Sequence, residues 1–309
     1  MKYFVIALLA SLVSMLPAYT QWQSEYFHDH PLVGKIFHVE KGRWISFDSL
    51  TEIVQEHNIV LLGETHSNPD HHNLQAQVIA SLIKAGESPA IVMEMLEYDQ
   101  LVVDYSSDEA MLNASEILSP QWDWSIYQPI ARVAYLNQLP LLGGNLDEET
   151  LKVIRRQKSC EFDLAGMTIN ICQSLPATAV VQIQQLIYES HCKYMPWEHT
   201  DGMAYAQIAK DIAFANKLMS VSENNSAVLI AGSVHVRKDI GVPIHLQQLG
   251  QTALSVGFIN VHPDFQEISD YTALMPNESA LDVLVFTPSD RHQDPCVEFA
   301  KQLEKMKQQ

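Results

Sequence analysis

The stretch "VLIAGSVHVRKDIGVP" (Val228 to Pro243) decides the fold. A run of aliphatic residues ends there at a glycine, and a histidine follows three positions later. "IVLLGETH" (Ile59 to His66) shows the same G-x-x-H pattern much earlier in the chain. A short aliphatic run bounded by a turn residue is typical of a strand that is buried on both faces of a parallel sheet. Both stretches therefore predict buried strands whose carboxyl ends present a histidine.

Four more aliphatic runs predict strands of the same kind, at 90–95, 139–145, 253–261 and 281–288. Segments with helical patterns lie between the strands. In the clearest of them Asn68 can cap the helix, Pro69 suits its first turn and Gly86 can end it. This alternation predicts an α/β fold with a mainly parallel central sheet and helices on both faces.

Two long stretches interrupt the alternation. Residues 97–138 and 146–222, approximately, are expected to be mostly helical and to form a small helical subdomain beside the sheet. In the last of these helices, Tyr205, Ile208 and Ile212 are expected to share an apolar face. One domain, residues 21–309, is expected to contain both the sheet and the helical insertions. Residues 21–57 show no clear pattern.

The first 20 residues resemble a secretory signal peptide. A lysine precedes an apolar run, and a cleavage site is expected near Ala18 or Thr20. The alternative is an uncleaved anchor, but the run is shorter than the ~20 residues that a bilayer requires. No cysteine follows it for lipid attachment. The sequence predicts a periplasmic or secreted protein with no stable membrane span after removal of the leader.

Four cysteines, Cys160, Cys172, Cys192 and Cys296, fit an exported protein because disulfides persist in oxidising compartments. Three pairings are possible. We favour Cys160 with Cys172 and Cys192 with Cys296. None of the four shows C-x-x-C spacing, which makes a structural role more plausible than a metal-binding or catalytic one.

Net charge narrows the set of partners. The chain carries 37 acidic and 19 basic residues, a formal charge of −18, which opposes general binding to nucleic acids or anionic lipids. No Walker loop, G-x-G-x-x-G, G-x-S-x-G or H-E-x-x-H motif is present. A small-molecule partner is the remaining expectation.

Unusual polar residues lie at the ends of the predicted strands or just after them. These are Glu64, His66, Glu94, Asn145 and His235. Taken singly, each is more often a satisfied loop or capping residue than part of a site. Because the carboxyl ends of parallel strands meet at one edge, we expect the five to share one polar site. Two imidazoles and two carboxylates suit a divalent metal with an open position, or proton transfer.

With these motifs in place, the chain resembles the ChaN-like haem-binding uptake proteins of the Tiki superfamily. The resemblance runs through most of the chain after the leader. Its blocks are "LLGETHSNPDHHNLQ" (61–75), "IVMEML" (91–96), "WDWSIYQPIARVAYLNQLPLLGGN" (122–145), "HCKYMPWEHTDGMAYAQIAKDIAFA" (191–215), "IAGSVHVRKDIGVP" (230–243) and "TPSDRHQDPC" (287–296). It implies the same α/β fold with a small helical domain.

The resemblance implies an exported haem binder in iron acquisition, which can hold haem between two subunits through a tyrosine. Tyr127 is the first candidate for the iron ligand, and Tyr105 and Tyr205 are alternatives. His235 is expected to hydrogen-bond to the ligand or the haem, and Arg237 to meet the propionates. A homodimer is therefore expected. The family's typical members are lipoproteins, whereas no lipidated cysteine follows the leader here.

Other branches of the superfamily imply a different function, metal-dependent hydrolysis. Glu64, His66, Glu94 and His235 would then hold a divalent metal or activate water, and Asn145 would orient the substrate. A third possibility is a noncatalytic binding role. Haem binding is the leading prediction, and metal-dependent hydrolysis is the alternative.

Overall fold

A computed structural model describes residues 22–102, 122–223, 225–273, 275 and 279–307. The predicted leader and Tyr105 lie outside these residues. Within them the strands are β1 (Ile36–His38), β2 (Arg43–Ile45), β3 (Ile59–Glu64), β4 (Ala90–Glu97), β5 (Leu101–Val102), β6 (Leu141–Asn145), β7 (Glu161–Leu164), β8 (Met167–Asn170), β9 (Ala227–Gly232), β10 (Leu254–Asn260) and β11 (Val283–Thr287). The helices are α1 (Phe47–Gln55), α2 (Pro69–Lys84), α3 (Gln128–Leu136), α4 (Glu148–Gln157), α5 (Ala177–Ser190), α6 (Thr200–Val221), α7 (Val242–Gln248), α8 (Ile268–Thr272) and α9 (Pro295–Lys307).

A nine-stranded sheet organises the molecule, in the order β2-β1-β11-β10-β3-β9-β4-β6-β5. Its six central strands run parallel, and they are the six strands that the aliphatic runs predict. β1, β2 and β5 pair antiparallel at the two sides. The predicted α/β class and mainly parallel sheet are confirmed. β1 and β2 come from the N-terminal region in which the sequence showed no clear pattern.

The register of β3, β9 and β4 brings their carboxyl ends side by side. Glu64 on β3 pairs with Gly232 on β9, and Met93 on β4 pairs with Ile230. All six residues of β3 are buried, as expected for a strand covered on both faces. Residues that follow these strands therefore emerge at one common edge.

Helices cover both faces of the sheet, as predicted. On one face, α1, α2 and α3 pack through residues such as Leu50, Val78 and Ile130. On the other face, α6 and α7 pack through residues such as Phe214 and Leu246. The N-terminus of α2 follows its sequence pattern, since the Asn68 side chain accepts a hydrogen bond from the Asp70 backbone N–H and Pro69 is the first helical residue. No helix of the described residues is long and apolar enough to cross a membrane.

A third core lies in a subdomain built from α4, α5, the β7–β8 hairpin and the first half of α6. Ile208 and Ile212 on α6 are buried in it, and Tyr205 packs partly against it. Most of residues 146–222 are helical in the structure, and the hairpin is an element that the sequence did not predict. Phe162 and Leu164 are buried while Glu161 and Asp163 are exposed, the alternation of a strand with one buried face.

Both disulfides form as predicted. Cys160–Cys172 closes a 12-residue separation that contains the β7–β8 hairpin. Cys192–Cys296 spans 104 residues and joins the loop before α6 to the first turn of α9. The described part of the chain has no free cysteine.

Candidate functional site

Glu64, at the carboxyl end of β3, is only 2% exposed. Its Oε1 accepts a hydrogen bond from the Tyr127 hydroxyl at 2.8 Å and lies 2.9 Å from His66 Nδ1. Its Oε2 lies 3.1 Å from His72 Nδ1. Burial raises the pKa of this carboxyl, but the adjacent His72 and His66 outweigh burial and hold its pKa at about 2. Glu64 is thus an ionised buried carboxylate at neutral pH.

His72 is a buried partner of Glu64 that the sequence did not single out. Its Nε2 lies 3.0 Å from the His66 carbonyl oxygen, while its Nδ1 faces Glu64. With an acceptor at each ring nitrogen, the doubly protonated imidazolium is favoured. Burial lowers the pKa of His72, but the charge of Glu64 raises it above its ordinary value.

His66 connects this pair to solvent, because its side chain is 39% exposed. The Trp122 ring packs edge-on against it, with 4.8 Å between ring centroids. Its Nδ1 is bound to Glu64, and its Nε2 lies 3.7 Å from Glu94 Oε2. Burial lowers the pKa of His66, and the two carboxylates together raise it above its ordinary value.

Glu94, on β4, is the second buried carboxylate. Lys210 donates to its Oε1 at 3.0 Å, His235 Nε2 lies 3.3 Å from the same oxygen, and the Gly232 N–H donates to Oε2 at 2.9 Å. Burial raises the pKa of Glu94, but His235 and Lys210 bring it well below its ordinary value. The carboxylate is therefore fully compensated by charge and hydrogen bonds.

His235, three residues after β9, lies between two carboxylates. Its Nδ1 is 2.5 Å from Asp211 Oδ1, and its Nε2 faces Glu94. Burial lowers the pKa of His235, but Glu94 and Asp211 raise it to about 9. His235 is a buried imidazolium at neutral pH.

Lys210 and Asp211 were missed from the sequence. They are adjacent on α6, in the segment "AQIAKDIAFA" (206–215), which is otherwise apolar apart from Gln207. Two charges within an apolar helical run are unusual, because charged side chains are rarely buried without partners. This pattern is the sequence signal that could have identified Lys210 and Asp211, but only the fold shows which residues they contact.

Asn145, at the end of β6, donates through Nδ2 to the Glu94 carbonyl oxygen at 2.9 Å. Its Oδ1 is buried and has no hydrogen-bond partner among the described residues. A cleft of about 200 Å³ opens beside it, lined by side chains that include Glu94, Trp122, Arg155 and Lys210. The structure thus brings Glu64, His66, Glu94, Asn145 and His235 to one edge of the sheet, while their roles stay predictions.

Tyr127 joins this cluster in a different way from that expected of a ligand. It ends a 3₁₀ turn, Trp124–Tyr127, and its side chain is completely buried. Burial and the charge of Glu64 raise the pKa of its phenol well above the ordinary value. This environment opposes formation of the phenolate that binds iron. Tyr205, the other described candidate, lies half-buried in the subdomain core.

Arg237 does not join the cluster. It is buried, and its guanidinium makes two hydrogen bonds to Asp239, at 3.0 and 2.7 Å. In the structure this guanidinium forms an internal ion pair with Asp239, whereas the resemblance placed it beside haem propionates. Arg155 and Lys210 are the cations that line the strand-end cleft.

The divalent-metal alternative is not supported. Among the described residues, no group of three or more His, Cys, Asp or Glu side chains is arranged to hold a metal ion. Both ring nitrogens of His235 face carboxylates, and both of His72 face acceptors. Imidazoles protonated on both nitrogens have no lone pair for a metal. Glu64, His66, Glu94 and His235 form a charge network instead.

A separate groove of about 480 Å³ lies at the Cys192–Cys296 disulfide. Its lining residues come from the end of α5, the α5–α6 loop and the start of α9: Ser190, His191, Cys192, Tyr194, Met195, Pro295, Glu298 and Phe299. Tyr194 is 56% exposed, and its ring contacts that of Phe299 edge-on at 5.5 Å. His191 Nδ1 lies 2.7 Å from the Ile187 carbonyl oxygen, which leaves Nε2 with no hydrogen-bond partner in the described structure.

Comparison with known proteins identifies the family. The model described as "Haem-binding uptake, Tiki superfamily, ChaN" matches residues 50–246. A structure of cofacial haem binding to ChaN of Campylobacter jejuni aligns with a TM-score of 0.61 and 22% identity, over 81% of this chain and 95% of that one. A mutant of the erythromycin esterase EreC in its open conformation aligns with a TM-score of 0.46 and 13% identity, over 84% and 99% of the two chains.

A comparison with curated protein sequences finds no match. The structural likeness to Campylobacter jejuni ChaN is one of fold, since so few residues are identical. The family match is stronger evidence because it covers more than half of the chain, including all five strand-end residues. The chain therefore belongs to the ChaN family of haem-binding uptake proteins in the Tiki superfamily.

Proposed function

We propose that this protein is exported and binds haem as cargo in haem or iron acquisition. The family match over residues 50–246 is the observation that carries the proposal, because haem-binding uptake is what defines the family. Two disulfides agree with an oxidising compartment, either the periplasm or the exterior. The leader predicted at residues 1–20 supports export.

Haem requires a flat apolar surface and an iron ligand, usually with cations for the propionates. The strand-end cleft fits these needs poorly. Its volume is about 200 Å³, whereas small-molecule sites usually measure roughly 300–1,000 Å³. Its cations are also paired, Lys210 with Glu94 and Arg155 with Glu148. The cleft therefore has neither sufficient volume for haem nor, among its described lining residues, an unpaired cation to bind a propionate.

The groove at the Cys192–Cys296 disulfide fits haem better. Its lining combines an aromatic ring, a methionine and two side chains that can bind iron, His191 and Tyr194. A wider cavity of about 680 Å³ lies beside α2 and α3, but its lining contains no His, Tyr, Cys or Met among the described residues. A third cavity, of about 310 Å³, has His245 as the one iron-binding side chain of its described lining, and that imidazole is buried. We therefore assign haem to the disulfide groove.

We infer that Tyr194, rather than Tyr127, is the tyrosine ligand. Tyr194 is exposed in the groove, whereas the Tyr127 hydroxyl is buried and bound to Glu64. Lys193 is exposed next to Tyr194 in the sequence and supplies a cation near the same surface. His191 is a second iron-binding side chain there, with its ring fixed through Nδ1 in the way that ligating histidines commonly are.

A homodimer follows from the same assignment. The groove is open to solvent, so a planar ligand bound in it would be covered mainly on one side. Cofacial haem binding is described for ChaN of Campylobacter jejuni. In our proposal, a second subunit covers the exposed side of the haem here as well, so haem binding and dimerisation are linked.

Titration of haemin into the chain without its leader tests the proposal. The expected result is a saturable shift of the Soret band that reaches a plateau at one haem per chain, together with a larger sedimentation coefficient for the loaded protein. Serum albumin serves as the positive control for haemin quality. Absorbance that rises in proportion to added haemin, with no plateau, would show nonspecific partitioning and contradict the proposal.

A further inference from the structure

The two walls of the disulfide groove come from distant parts of the chain. One is the loop that holds His191 and Tyr194, and the other is the first turns of α9, with Pro295 and Phe299. The Cys192–Cys296 disulfide joins them across 104 residues. Two weaker contacts also connect the chain segments on either side, namely the Tyr194–Phe299 ring contact at 5.5 Å and the approach of the Cys296 sulfur to the Glu189 carbonyl oxygen at 4.0 Å.

Apart from this disulfide, helix α9 makes few packing contacts with the other described residues. None of its described residues belongs to a core cluster, and Val297 and Phe299 remain 45% and 38% exposed. By contrast, the chain just before it is fixed. Asp290 accepts a hydrogen bond from Asn260 at 2.7 Å, and the His292 ring packs against Tyr26 at 5.4 Å. Beyond His292 the disulfide is therefore the main attachment of α9 to the rest of the protein.

We propose that the Cys192–Cys296 disulfide assembles the haem-binding groove, so that the protein binds haem only when this disulfide is oxidised. The inference rests on the proposed function and adds its regulation. The opening step is reduction by a dithiol: the S–S bond breaks, each sulfur becomes a thiol, and the two electrons and two protons come from the dithiol, which closes to a disulfide.

Reduction removes one wall of the groove for a simple physical reason. An isolated helix shorter than about 12–15 residues is marginal in water, and α9 has 13 residues with little buried surface. Once released, α9 takes Phe299 and Pro295 away from Tyr194. A newly made chain in a reducing cytoplasm then lacks the site, and it gains the site after export. Haem capture is thereby confined to the oxidising compartment.

The second disulfide provides a matched control. Haemin is titrated into the wild-type chain, into C192S/C296S and into C160S/C172S, with circular dichroism to establish that each is folded. We expect C192S/C296S to bind haemin at least about tenfold more weakly than wild type. C160S/C172S should bind within about threefold of wild type, since its disulfide closes the β7–β8 hairpin, which does not line the groove.

A second measurement avoids reliance on the variants. Wild-type protein is reduced with dithiothreitol, alkylated with iodoacetamide and freed of reagent before the titration, and the same weakening is expected. Equal binding by wild type and C192S/C296S would overturn the inference and leave haem binding intact. Equal loss in both double variants would also overturn it, because the loss would then reflect general destabilisation. Failure of wild type itself to saturate would overturn the proposed function and the inference with it.

Discussion

Tyr127 donates its phenolic hydrogen to Glu64 over 2.8 Å, and both side chains are buried at the carboxyl edge of the sheet. The Tyr127 ring also packs 4.2 Å from that of His72, the second imidazole beside the same carboxylate. Tyr127 therefore belongs to the internal support of Glu64. Its burial and its bond to Glu64 favour a structural role in the charge network at the strand ends over the role of iron ligand.

Replacing Tyr127 with phenylalanine should lower stability without altering the haem spectrum. A hydrogen bond to a charged group contributes roughly 1.5–3 kcal/mol, and Glu64 loses its hydroxyl donor in this variant. Urea denaturation measures the loss of stability. The Soret band of the haemin-loaded variant shows whether the haem environment has changed. A displaced Soret band in Tyr127→Phe would return this residue to the iron site.

Glu94→Ala should be strongly destabilising. The change leaves Lys210 and His235 without their shared carboxylate, and breaking a buried ion pair in this way costs about 3–5 kcal/mol. Glu149→Ala is the control, because Glu149 forms an exposed pair with Lys152 that is expected to contribute little. Urea denaturation compares the two. A loss below about 1 kcal/mol for Glu94→Ala would show that the network does not stabilise the sheet edge.

The raised pKa of His235 predicts that the folded protein loses stability at alkaline pH. Its folded pKa is raised from 6.5 to about 9, so its contribution is complete below pH 6.5 and disappears as the pH rises through 9. His235→Gln should therefore show a flatter decline of melting temperature across this range than wild type. Parallel profiles for the two proteins would mean that His235 is not a buried imidazolium.

The glycines of the two G-x-x-H segments leave space that the site requires. A Cβ on Gly63 would lie 2.3 Å from Val236 Cγ2, and one on Gly232 would lie 3.0 Å from His66 Nε2. Gly63→Ala should cost about 1–3 kcal/mol through overpacking between β3 and the segment after β9. Thermal denaturation provides the measurement, and an unchanged melting temperature would mean that Val236 moves aside without cost.

The sequence was sufficient for the six parallel strands of the sheet because they are largely buried and appear as continuous aliphatic runs. It also placed Glu64, His66, Glu94, Asn145 and His235 at one edge, since parallel strands end together. The β7–β8 hairpin was missed because each of its strands has only four residues, within a region where helical patterns dominate. Short local patterns of this kind are easily overruled by their surroundings.

The partners of the strand-end residues depended on tertiary structure. His72, Lys210 and Asp211 lie on α2 and α6, and their sequence spacing does not show that they meet Glu64, Glu94 and His235. The disulfide groove was equally hidden, because its walls are 104 residues apart at the bond that joins them. The cysteine pairing could be predicted, but the surface that it creates could not.

The most direct test of the account is the spectrum of the haemin-loaded Tyr194→Phe variant, compared with those of wild type and of Tyr205→Phe as a control. Absorption and resonance Raman spectra report whether a phenolate is bound to ferric iron. The account predicts tyrosinate bands in wild type and Tyr205→Phe and their loss in Tyr194→Phe. Tyrosinate bands that persist in Tyr194→Phe would contradict the assignment of haem to the groove at Cys192–Cys296.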